Sequence, residues 1–552
     1  MIRNHRTAWT VGVLLATSIV LVLTRLHALA LPLETDEANY AYIAGRLLAG
    51  DQLYVDVWDH QPPGVFVLFA ATIALLGDAP QTFRWVATGF SLASLLLMFL
   101  LVRHAVAERW AAFAALIFAL VSSDPGTAGE GCNREIYMNS FILVGWYAAL
   151  RAGDRNRSPL TPWWLLASGT AFAAASLLKT IVAIHWLAAG GWLVWRSREE
   201  SQPVPRRCAR SIFTLLLFSV PPVVIWLGTF GYFAATNRLA DVVDAVFGFN
   251  LSYSKGGGGF WSRFVTFFTP GAKPYLQPFI FDSAAPLWIA ALIATPALIF
   301  SLFKERDSHA APARRASASL ALLMLLAAYL ATCLPAQFWP HYYYLVLPPA
   351  IIVTVLALAR MCAVVRSPGW RRGVAVTAVT AIFVAILHAE YRHYFSQPLF
   401  GITVGRYNGR DFWGRAHGEI VRRVTQPDDE IFVYGADAAI YYYAQRKCAS
   451  RYTMLTGLRS GYAGHEQRRA TMLREIAEHR PRLILVVLGE ESFPTWKDFL
   501  PTRYDAVGWD FRDRAPHDPI LMILCDRERP IEEIDWNWDR AAIGGWNLGD
   551  AR

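Results

Sequence analysis

Long apolar runs fill most of the first 391 residues of this chain, and they restrict its fold more than any other feature. A helix that crosses a bilayer needs about 20 predominantly apolar residues, within a range of about 17–25. The chain is 55% hydrophobic and only 17% charged, against about 45–50% and about 25% in an average soluble domain. The sequence therefore predicts a polytopic α-helical membrane protein. We expect about eleven transmembrane helices, at residues 7–28, 84–102, 109–123, 136–150, 162–178, 180–195, 211–233, 285–303, 317–336, 341–359 and 373–391.

One further apolar run, Val65–Leu76, is too short to cross a bilayer and suits an interfacial or re-entrant helix. If it does not span, one side of the membrane receives twenty Lys and Arg residues close to the spans and the other side receives nine. Basic residues accumulate on the cytoplasmic side, so the N-terminus is predicted to be cytoplasmic and the long loop 29–83 to lie outside. The same distribution assigns the net charge of +9 to membrane topology and argues against nucleic-acid binding.

From about residue 392 the sequence has the character of a soluble domain. Buried strands are predicted at 429–435, 482–489 and 519–525, and they alternate with helices at 436–445 and 467–479. This order indicates a small α/β domain. With a cytoplasmic N-terminus, an odd number of spans places this domain on the extracytoplasmic side. We therefore divide the chain into a transmembrane domain, 1–391, and an extracytoplasmic α/β domain, 392–552, that ends in an acidic tail containing Trp residues, 526–552.

Six cysteines are scattered along the chain without the spacing of a metal site. Cys448 and Cys525 both fall in the C-terminal domain, and the sequence leaves their pairing open.

Two adjacent carboxylates, Asp36 and Glu37, follow the first apolar run. Acidic residues are costly near a membrane and are rare there unless they have a function. A helix is expected from Glu37 to about Leu48, with Gly50 ending it. Side chains of adjacent residues diverge by about 100° on a helix, so one of the two carboxylates is expected to act and the other to position or cap. For Asp36 two interpretations are open: the N-cap of this helix, or a general base that accepts a proton from an attacking hydroxyl.

The same loop continues with Asp59-His60-Gln61 before Pro62 and Pro63, which begin the short apolar run. A proline pair is ordinary at a helix start, and the polar residues before it could be simply solvated. In the functional interpretation these side chains bind a phosphate or a metal ion. His60 alone is weak evidence for a metal, because a site needs three or four ligands.

Glu135, next to Arg134, begins the apolar run 136–150. The helix dipole alone would favour a carboxylate there, and a second interpretation makes it a catalytic carboxylate. Lys179, between two apolar segments, either snorkels to lipid headgroups or binds a phosphate. Arg84 is a further candidate for binding an anion. His341 and Tyr342 occur in a short turn on the same side as the loop 29–83 and are further candidates for binding the substrate.

These motifs resemble the bacterial family 39 glycosyltransferases, which are similar to protein O-mannosyltransferases and to the aminoarabinose transferases of lipid A. The resemblance rests on four segments within residues 1–391: TDEANYAYIAGRLLAG at 35–50, YVDVWDHQPPG at 54–64, NREIYMN at 133–139 and HYYYLVLPP at 341–349. It implies a GT-C fold in a bacterial inner membrane. It also implies a sugar donor carried on a polyprenyl monophosphate, and an extracytoplasmic acceptor hydroxyl that displaces the phosphate in one inverting step.

The resemblance also assigns roles to single residues. Asp36 corresponds to the expected base, Tyr40 to a tyrosine near the lipid phosphate, and Glu135 to the acidic residue of the second loop. The lipid A enzymes carry Glu-Lys where this chain has His60-Gln61, so one expected phosphate contact is missing. Lys179, Arg84 or Arg134 would then supply that charge. No cofactor follows with certainty, and a divalent metal at His60 is one interpretation.

Three other functions compete with this one. A transporter or flippase of a lipid-linked sugar usually shows internal repeats and ionisable residues near the membrane midplane, and neither is evident here. A sensor would not need so many spans for an anchor. An oligosaccharide transferase that uses a diphosphate donor is not distinguished by spacing alone.

Overall fold

The computed structural model describes residues 2–154, 159, 161–198, 204–257, 259–269, 284–304, 311–396, 410–511 and 519–531. Helices dominate the N-terminal part of the chain. They are α1 Ile2–Leu26, α2 Thr35–Leu48, α3 Gly64–Leu76, α4 Pro80–Ala105, α5 Glu108–Val121, α6 Arg134–Ala152, α7 Thr161–Ser176, α8 Ala183–Arg198, α9 Val204–Ala235, α10 Leu239–Val243, α11 Asn250–Tyr253, α12 Ser262–Thr266, α13 Ala285–Lys304, α14 Ala311–Cys333, α15 Pro340–Tyr343, α16 Leu347–Val364 and α17 Pro368–Tyr391. Short 3-10 and π-helical turns join several of them.

Each of the eleven apolar runs predicted to span the membrane is helical. Among the described residues, seven helices are long and apolar enough to cross a bilayer by length and composition: 7–30, 80–105, 204–235, 285–303, 314–333, 340–364 and 368–391. The other four runs form α5, α6, α7 and α8, which have 14, 19, 16 and 16 residues. The run 65–76 forms the 13-residue helix α3, shorter than a spanning helix, as its composition predicts.

The helices of the first compact unit come from residues 1–30, 83–234 and 257–397. Its core is made by aromatic side chains that pack against small residues. Trp146 is fully buried on α6 and lies edge-to-face with Phe172 of α7, at a centroid distance of 5.9 Å. A Cβ atom on Gly145 would approach the Phe172 ring to 2.7 Å. A larger residue at this position would displace the Phe172 ring, so glycine permits the close packing of α6 on α7.

The second compact unit contains residues 31–82, 235–256 and 398–552. Its helices after residue 398 are α18 Arg410–Val424, α19 Ala439–Ala444, α20 His465–His479 and α21 Pro494–Arg503. Its five strands are β1 Glu430–Tyr434, β2 Lys447–Cys448, β3 Leu483–Val487, β4 Tyr504–Phe511 and β5 Pro519–Asp526, in the order β2-β1-β3-β5-β4. Strand β1 is parallel to β2 and β3, and β5 is antiparallel to β3 and β4. The predicted α/β character is confirmed, and β2 and β4 were not predicted.

Contacts within the second unit join the loop 31–82 to residues after 398, so the two compact units do not follow the sequence boundary at residue 391. The boundary between a catalytic domain, 1–391, and a C-terminal domain stays a prediction. Most of the acidic tail, 532–552, lies outside the described residues. So do Arg155, Arg157, Lys273 and Arg306, which are among the basic residues counted on the two sides of the membrane.

Cys448 and Cys525 are not joined by a disulfide in this structure. Cys448 ends β2 and Cys525 lies on β5, and strands β1 and β3 separate them in the sheet. Neighbouring strands lie about 4.8 Å apart, so three steps across the sheet place the two residues about 14 Å apart. A disulfide joins Cα atoms that are usually 4.4–6.8 Å apart. The order of the strands therefore keeps Cys448 and Cys525 too far apart to form a disulfide.

Candidate active site

Helix α2 begins differently from the sequence-based expectation. Glu34, not Asp36, is its N-cap, and the Glu34 side chain accepts a hydrogen bond from the backbone N–H of Asp36 at 3.1 Å. The Glu37 side chain completes a capping box, because its Oε2 accepts from the backbone N–H of Glu34 at 3.1 Å. This arrangement satisfies amide groups that every helix start leaves without intrahelical partners. The interpretation of Asp36 as the N-cap is therefore wrong.

The two neighbouring carboxylates, Asp36 and Glu37, have different surroundings. Glu37 is 1% exposed and holds the helix start, so its observed contact is structural. Asp36 is half-buried in the first turn, with Glu34 carrying the cap. Tyr40, one turn further, is 1% exposed and lies edge-to-face with Phe66 and Phe69, at 6.0 and 5.7 Å. Its ring therefore fixes α2 against α3.

A buried hydrogen-bond network holds the segment that precedes Pro62. The Asn39 side-chain amide donates to Asp59 Oδ2 at 2.7 Å, and the Thr453 hydroxyl donates to Asn39 Oδ1 at 2.7 Å. Asp59 Oδ1 accepts from the backbone N–H of Gln61 at 2.9 Å. Both Asp59 oxygens therefore shape the loop. Asn39 is the centre of this network, because it contacts both Asp59 and Thr453.

The His60 ring sits in an aromatic environment. Its centroid lies 5.2 Å from that of Phe249 and 5.3 Å from that of Tyr253. Its Nε2 is 2.7 Å from the Gln61 side-chain nitrogen and its Nδ1 is 3.5 Å from Asp59. Within the part of the chain that the structure describes, His60 belongs to no group of three potential metal ligands. The His60 ring is therefore part of an aromatic cluster with Phe249 and Tyr253.

The backbone around Gln61 is held by two further side chains. Tyr54 donates from its hydroxyl to the Gln61 carbonyl at 2.7 Å, and Asn250 donates to the His60 carbonyl at 2.6 Å. Burial, reinforced by the charge of Asp59, raises the pKa of Tyr54 well above its usual value. The Tyr54 hydroxyl consequently stays protonated and remains a donor.

Trp58 joins the loop to the C-terminal residues of the same unit. Its backbone N–H donates to the Arg451 carbonyl at 2.9 Å, and the Arg468 guanidinium lies 5.3 Å from the centre of its ring. A Cβ atom on Gly457 would lie 2.7 Å from the Trp58 ring. The α/β part of the chain is therefore a support for the loop that carries Asp36 and His60.

In the first compact unit, a buried charge cluster surrounds the start of α6. Glu135 is 0% exposed, and its Oε1 accepts from Lys179 Nζ at 3.0 Å and lies 3.4 Å from Arg134 Nε. Lys179 and Arg134 are 7% and 2% exposed. Lys179 therefore does not snorkel to the surface. Two cations share one carboxylate, which leaves an excess of one positive charge within these three side chains.

Aromatic groups from the turn at 340–343 complete this cluster. Lys179 Nζ lies 3.2 Å from the centre of the Tyr342 ring, a cation–π contact. His341 is 3% exposed and acts electrostatically on Glu135. Arg84 is also buried, and it donates to the Glu130 carbonyl at 3.4 Å. The structure thus brings Arg134, Glu135, Lys179, His341 and Tyr342 together.

Two features of the described residues were not predicted from the sequence. Asn39 lies in the segment 35–50 that carries the family resemblance, but it was assigned no role, although it links Asp59 and Thr453. A second group, Asp124, Glu390 and His393, has its ligand atoms within 4.8 Å of one another. A carboxylate inside an apolar run is a recognised signal of function, and Glu390 in the predicted span 373–391 carried that signal.

Known proteins resemble this chain in two ways: a family model matches part of its sequence, and solved structures share its fold. Residues 60–226 match the family model described as dolichyl-phosphate-mannose-protein mannosyltransferase. The crystal structure of apo ArnT from Cupriavidus metallidurans is similar with a TM-score of 0.56 and 15% identity, over 94% of this chain and 98% of that one. The chain has the ArnT fold. No curated protein matches the sequence at a significant level.

Two further solved structures share this fold. ArnT from Cupriavidus metallidurans bound to undecaprenyl phosphate gives a TM-score of 0.55 at 16% identity, over 94% of this chain and 98% of that one. The apo oligosaccharyltransferase of Archaeoglobus fulgidus gives a TM-score of 0.54 at 12% identity, over 96% of this chain and 75% of that one. The predicted GT-C architecture and the resemblance to the family 39 enzymes are confirmed. The matched family segment contains Arg84, Arg134, Glu135 and Lys179, and Asp36 lies before it.

Proposed function

We propose that this chain is an integral-membrane glycosyltransferase that moves a sugar from a polyprenyl monophosphate to a hydroxyl group of an extracytoplasmic acceptor. Undecaprenyl phosphate is a polyprenyl monophosphate, the carrier part of such a donor. It is bound in the structure of ArnT that shares this fold. The acceptor is a lipid, a glycan or a protein. The assignment to hexosyl or pentosyl transfer is part of the proposal.

The observation that carries this proposal is the buried cluster at the start of α6. Arg134 and Lys179 contact the same carboxylate, and all three side chains are at least nine-tenths buried. Two buried cations beside a single carboxylate form a site that attracts a further anion, because their charges are weakly screened away from water. A phosphate monoester supplies that charge and accepts several charge-assisted hydrogen bonds. The cluster also lies within the segment that matches the mannosyltransferase family model.

The proposed reaction is a single displacement at the anomeric carbon. The acceptor oxygen forms a bond to this carbon while the bond to the phosphate oxygen breaks, and the polyprenyl phosphate leaves with the electron pair. Asp36 accepts the proton of the attacking hydroxyl. Lys179 and Arg134 stabilise the negative charge of the departing phosphate, and Glu135 orients both cations. A phosphate is already a good leaving group, so no covalent enzyme intermediate is required.

A transfer assay with a panel of donors tests this function. The purified protein is reconstituted in liposomes with undecaprenyl-phosphate sugars and, separately, with the matching diphosphate-linked sugars, and membrane extract serves as the acceptor source. We expect transfer from at least one monophosphate donor and none from its diphosphate counterpart. Transfer from diphosphate donors alone would make the chain an oligosaccharide transferase instead. Movement of an intact donor across the bilayer without transfer would make it a flippase.

We further propose that the chain lies in a bacterial inner membrane with the N-terminus in the cytoplasm and residues 392–552 outside. The twenty-to-nine distribution of basic residues supports this orientation. Alkaline phosphatase fused after Arg552 should be active, because this enzyme matures only outside the cytoplasm, and a fluorescent protein at the same position should be dark. The opposite pair of signals would refute the topology with eleven spans.

A further inference from the structure

A buried carboxylate without a hydrogen-bond partner stands at the end of α17. Glu390 is 0% exposed, and among the described residues neither of its side-chain oxygens accepts a hydrogen bond. Buried polar groups are almost always satisfied, and an isolated buried carboxylate must either bind a proton or be neutralised by a cation. Glu390 lies outside the charge cluster at α6, so the proposed reaction leaves it unexplained.

Two further potential ligands converge on Glu390. Asp124, in the loop after α5, and His393, in the π-helical turn 392–396, offer ligand atoms that lie with a Glu390 oxygen within 4.8 Å of one another. Asp124 is 0% and His393 is 8% exposed. The negative charges of Asp124 and Glu130 act on the Glu390 carboxylate. Several acidic groups are thus held together in a dry environment, an arrangement that a bound cation would stabilise.

We propose that Asp124, Glu390 and His393 bind one divalent transition-metal ion, of the Zn²⁺ or Mn²⁺ type. Bonds from such ions to carboxylate oxygen and imidazole nitrogen are about 2.0–2.2 Å long, so two ligands of one ion lie at most about 4.4 Å apart. The three ligand atoms approach this limit and need only a small side-chain adjustment. Two carboxylates with one imidazole suit Zn²⁺ or Mn²⁺, whereas Ca²⁺ prefers a shell made entirely of oxygen.

The ion would have a structural role within the first compact unit. It would tie the end of α17 to the loop 122–133, which leads directly into α6 and its first residues, Arg134 and Glu135. The same loop is already held by Arg25, which donates to the carbonyl oxygens of Ser122 and Gly129 at 2.9 and 2.6 Å. A metal link and the arginine would fix the loop from two sides. The proposal does not depend on the transfer reaction.

Metal analysis of the full-length protein tests this site. The protein is purified in detergent, freed of its affinity tag, treated with a chelator, incubated with Zn²⁺ or Mn²⁺ and dialysed, and its metal content is measured by mass spectrometry. We expect about one ion per chain to remain bound. Since an ion that binds only the folded state stabilises it, the melting temperature should rise after metal is restored.

Two variants test whether Glu390 is one of the ligands. Glu390→Gln keeps the shape of the side chain but removes its charge, and it should lose the bound ion and the metal-dependent rise in melting temperature. His388→Ala removes an exposed histidine of the same helix and serves as the matched control, which should retain both. A wild-type protein that stays free of metal and shows no thermal shift would overturn the proposal and identify Glu390 as a protonated buried acid. Equal metal content in wild type and Glu390→Gln would overturn it as well.

Discussion

Replacing Asp36 by Asn should abolish sugar transfer without changing the amount of protein or its melting temperature. Asp36 is half-buried in the first turn of α2, and its backbone N–H donates to the cap residue Glu34, a contact that an asparagine preserves. The amide is isosteric with the carboxylate but cannot accept the proton of the attacking hydroxyl. Loss of a general base lowers a rate by about 10²–10⁴-fold. The measurement is transfer from the polyprenyl-phosphate donor identified in the panel.

The matched control for this variant is Asp56→Asn in the same loop. Asp56 is exposed and accepts a hydrogen bond from the backbone N–H of Gln52 at 2.8 Å, so its contact is a local turn. We expect Asp56→Asn to transfer sugar at nearly the wild-type rate. Wild-type activity in Asp36→Asn would remove Asp36 from the mechanism. It would leave the donor class unaffected, because the donor panel tests that class on the wild-type protein.

Changing Lys179 and Glu135 should shift phosphate binding in opposite directions. Lys179→Met removes one of the two cations that contact Glu135, so the cluster loses its excess positive charge. Glu135→Gln leaves Arg134 and Lys179 without their shared carboxylate and raises that excess. A charge-assisted hydrogen bond contributes about 1.5–3 kcal/mol. We therefore expect undecaprenyl phosphate to bind roughly tenfold more weakly to Lys179→Met and roughly tenfold more tightly to Glu135→Gln.

Transfer activity should fall in both variants, since Glu135→Gln no longer orients the two cations. Binding of undecaprenyl phosphate is measured in lipid nanodiscs, together with the melting temperature of each variant. The half-buried pair Glu430 and Lys447 in the second compact unit, with 2.9 Å between its charged atoms, provides matched controls, Glu430→Gln and Lys447→Met, which should bind like wild type. Weaker binding in both Glu135→Gln and Lys179→Met would show that the cluster only stabilises the fold.

The helical part of the fold follows from local composition. Every predicted apolar run forms a helix, because a long apolar segment in a membrane must satisfy its backbone hydrogen bonds internally. The strands β1, β3 and β5 are apolar runs and were predicted. Strand β2 has only two residues, and β4 mixes polar and apolar side chains at the edge of the sheet. Neither gives a periodic signal, and both depend on pairing with a neighbouring strand.

The candidate site was only partly predictable. The residue types Asp36, Glu135 and Lys179 were found from their positions beside apolar runs. The choice of Glu34 as the N-cap was missed because glutamate is not a preferred capping residue. The pairing of Lys179 with Glu135 was also missed, because each residue had an independent local explanation. The link between Asn39 and Thr453 joins residues that are far apart in the sequence.

Local composition was enough to predict which segments are helical and apolar, that an α/β region follows them, and which charged residues stand at the ends of apolar runs. Hydrophobicity and charge act locally, so a single chain displays them directly. The contacts of each charge became evident only in the folded chain: Glu37 in a capping box, Lys179 bound to Glu135, and Asp124 beside Glu390 and His393. Partnerships between buried charges depend on distances of a few ångströms between distant segments, and packing alone sets those distances.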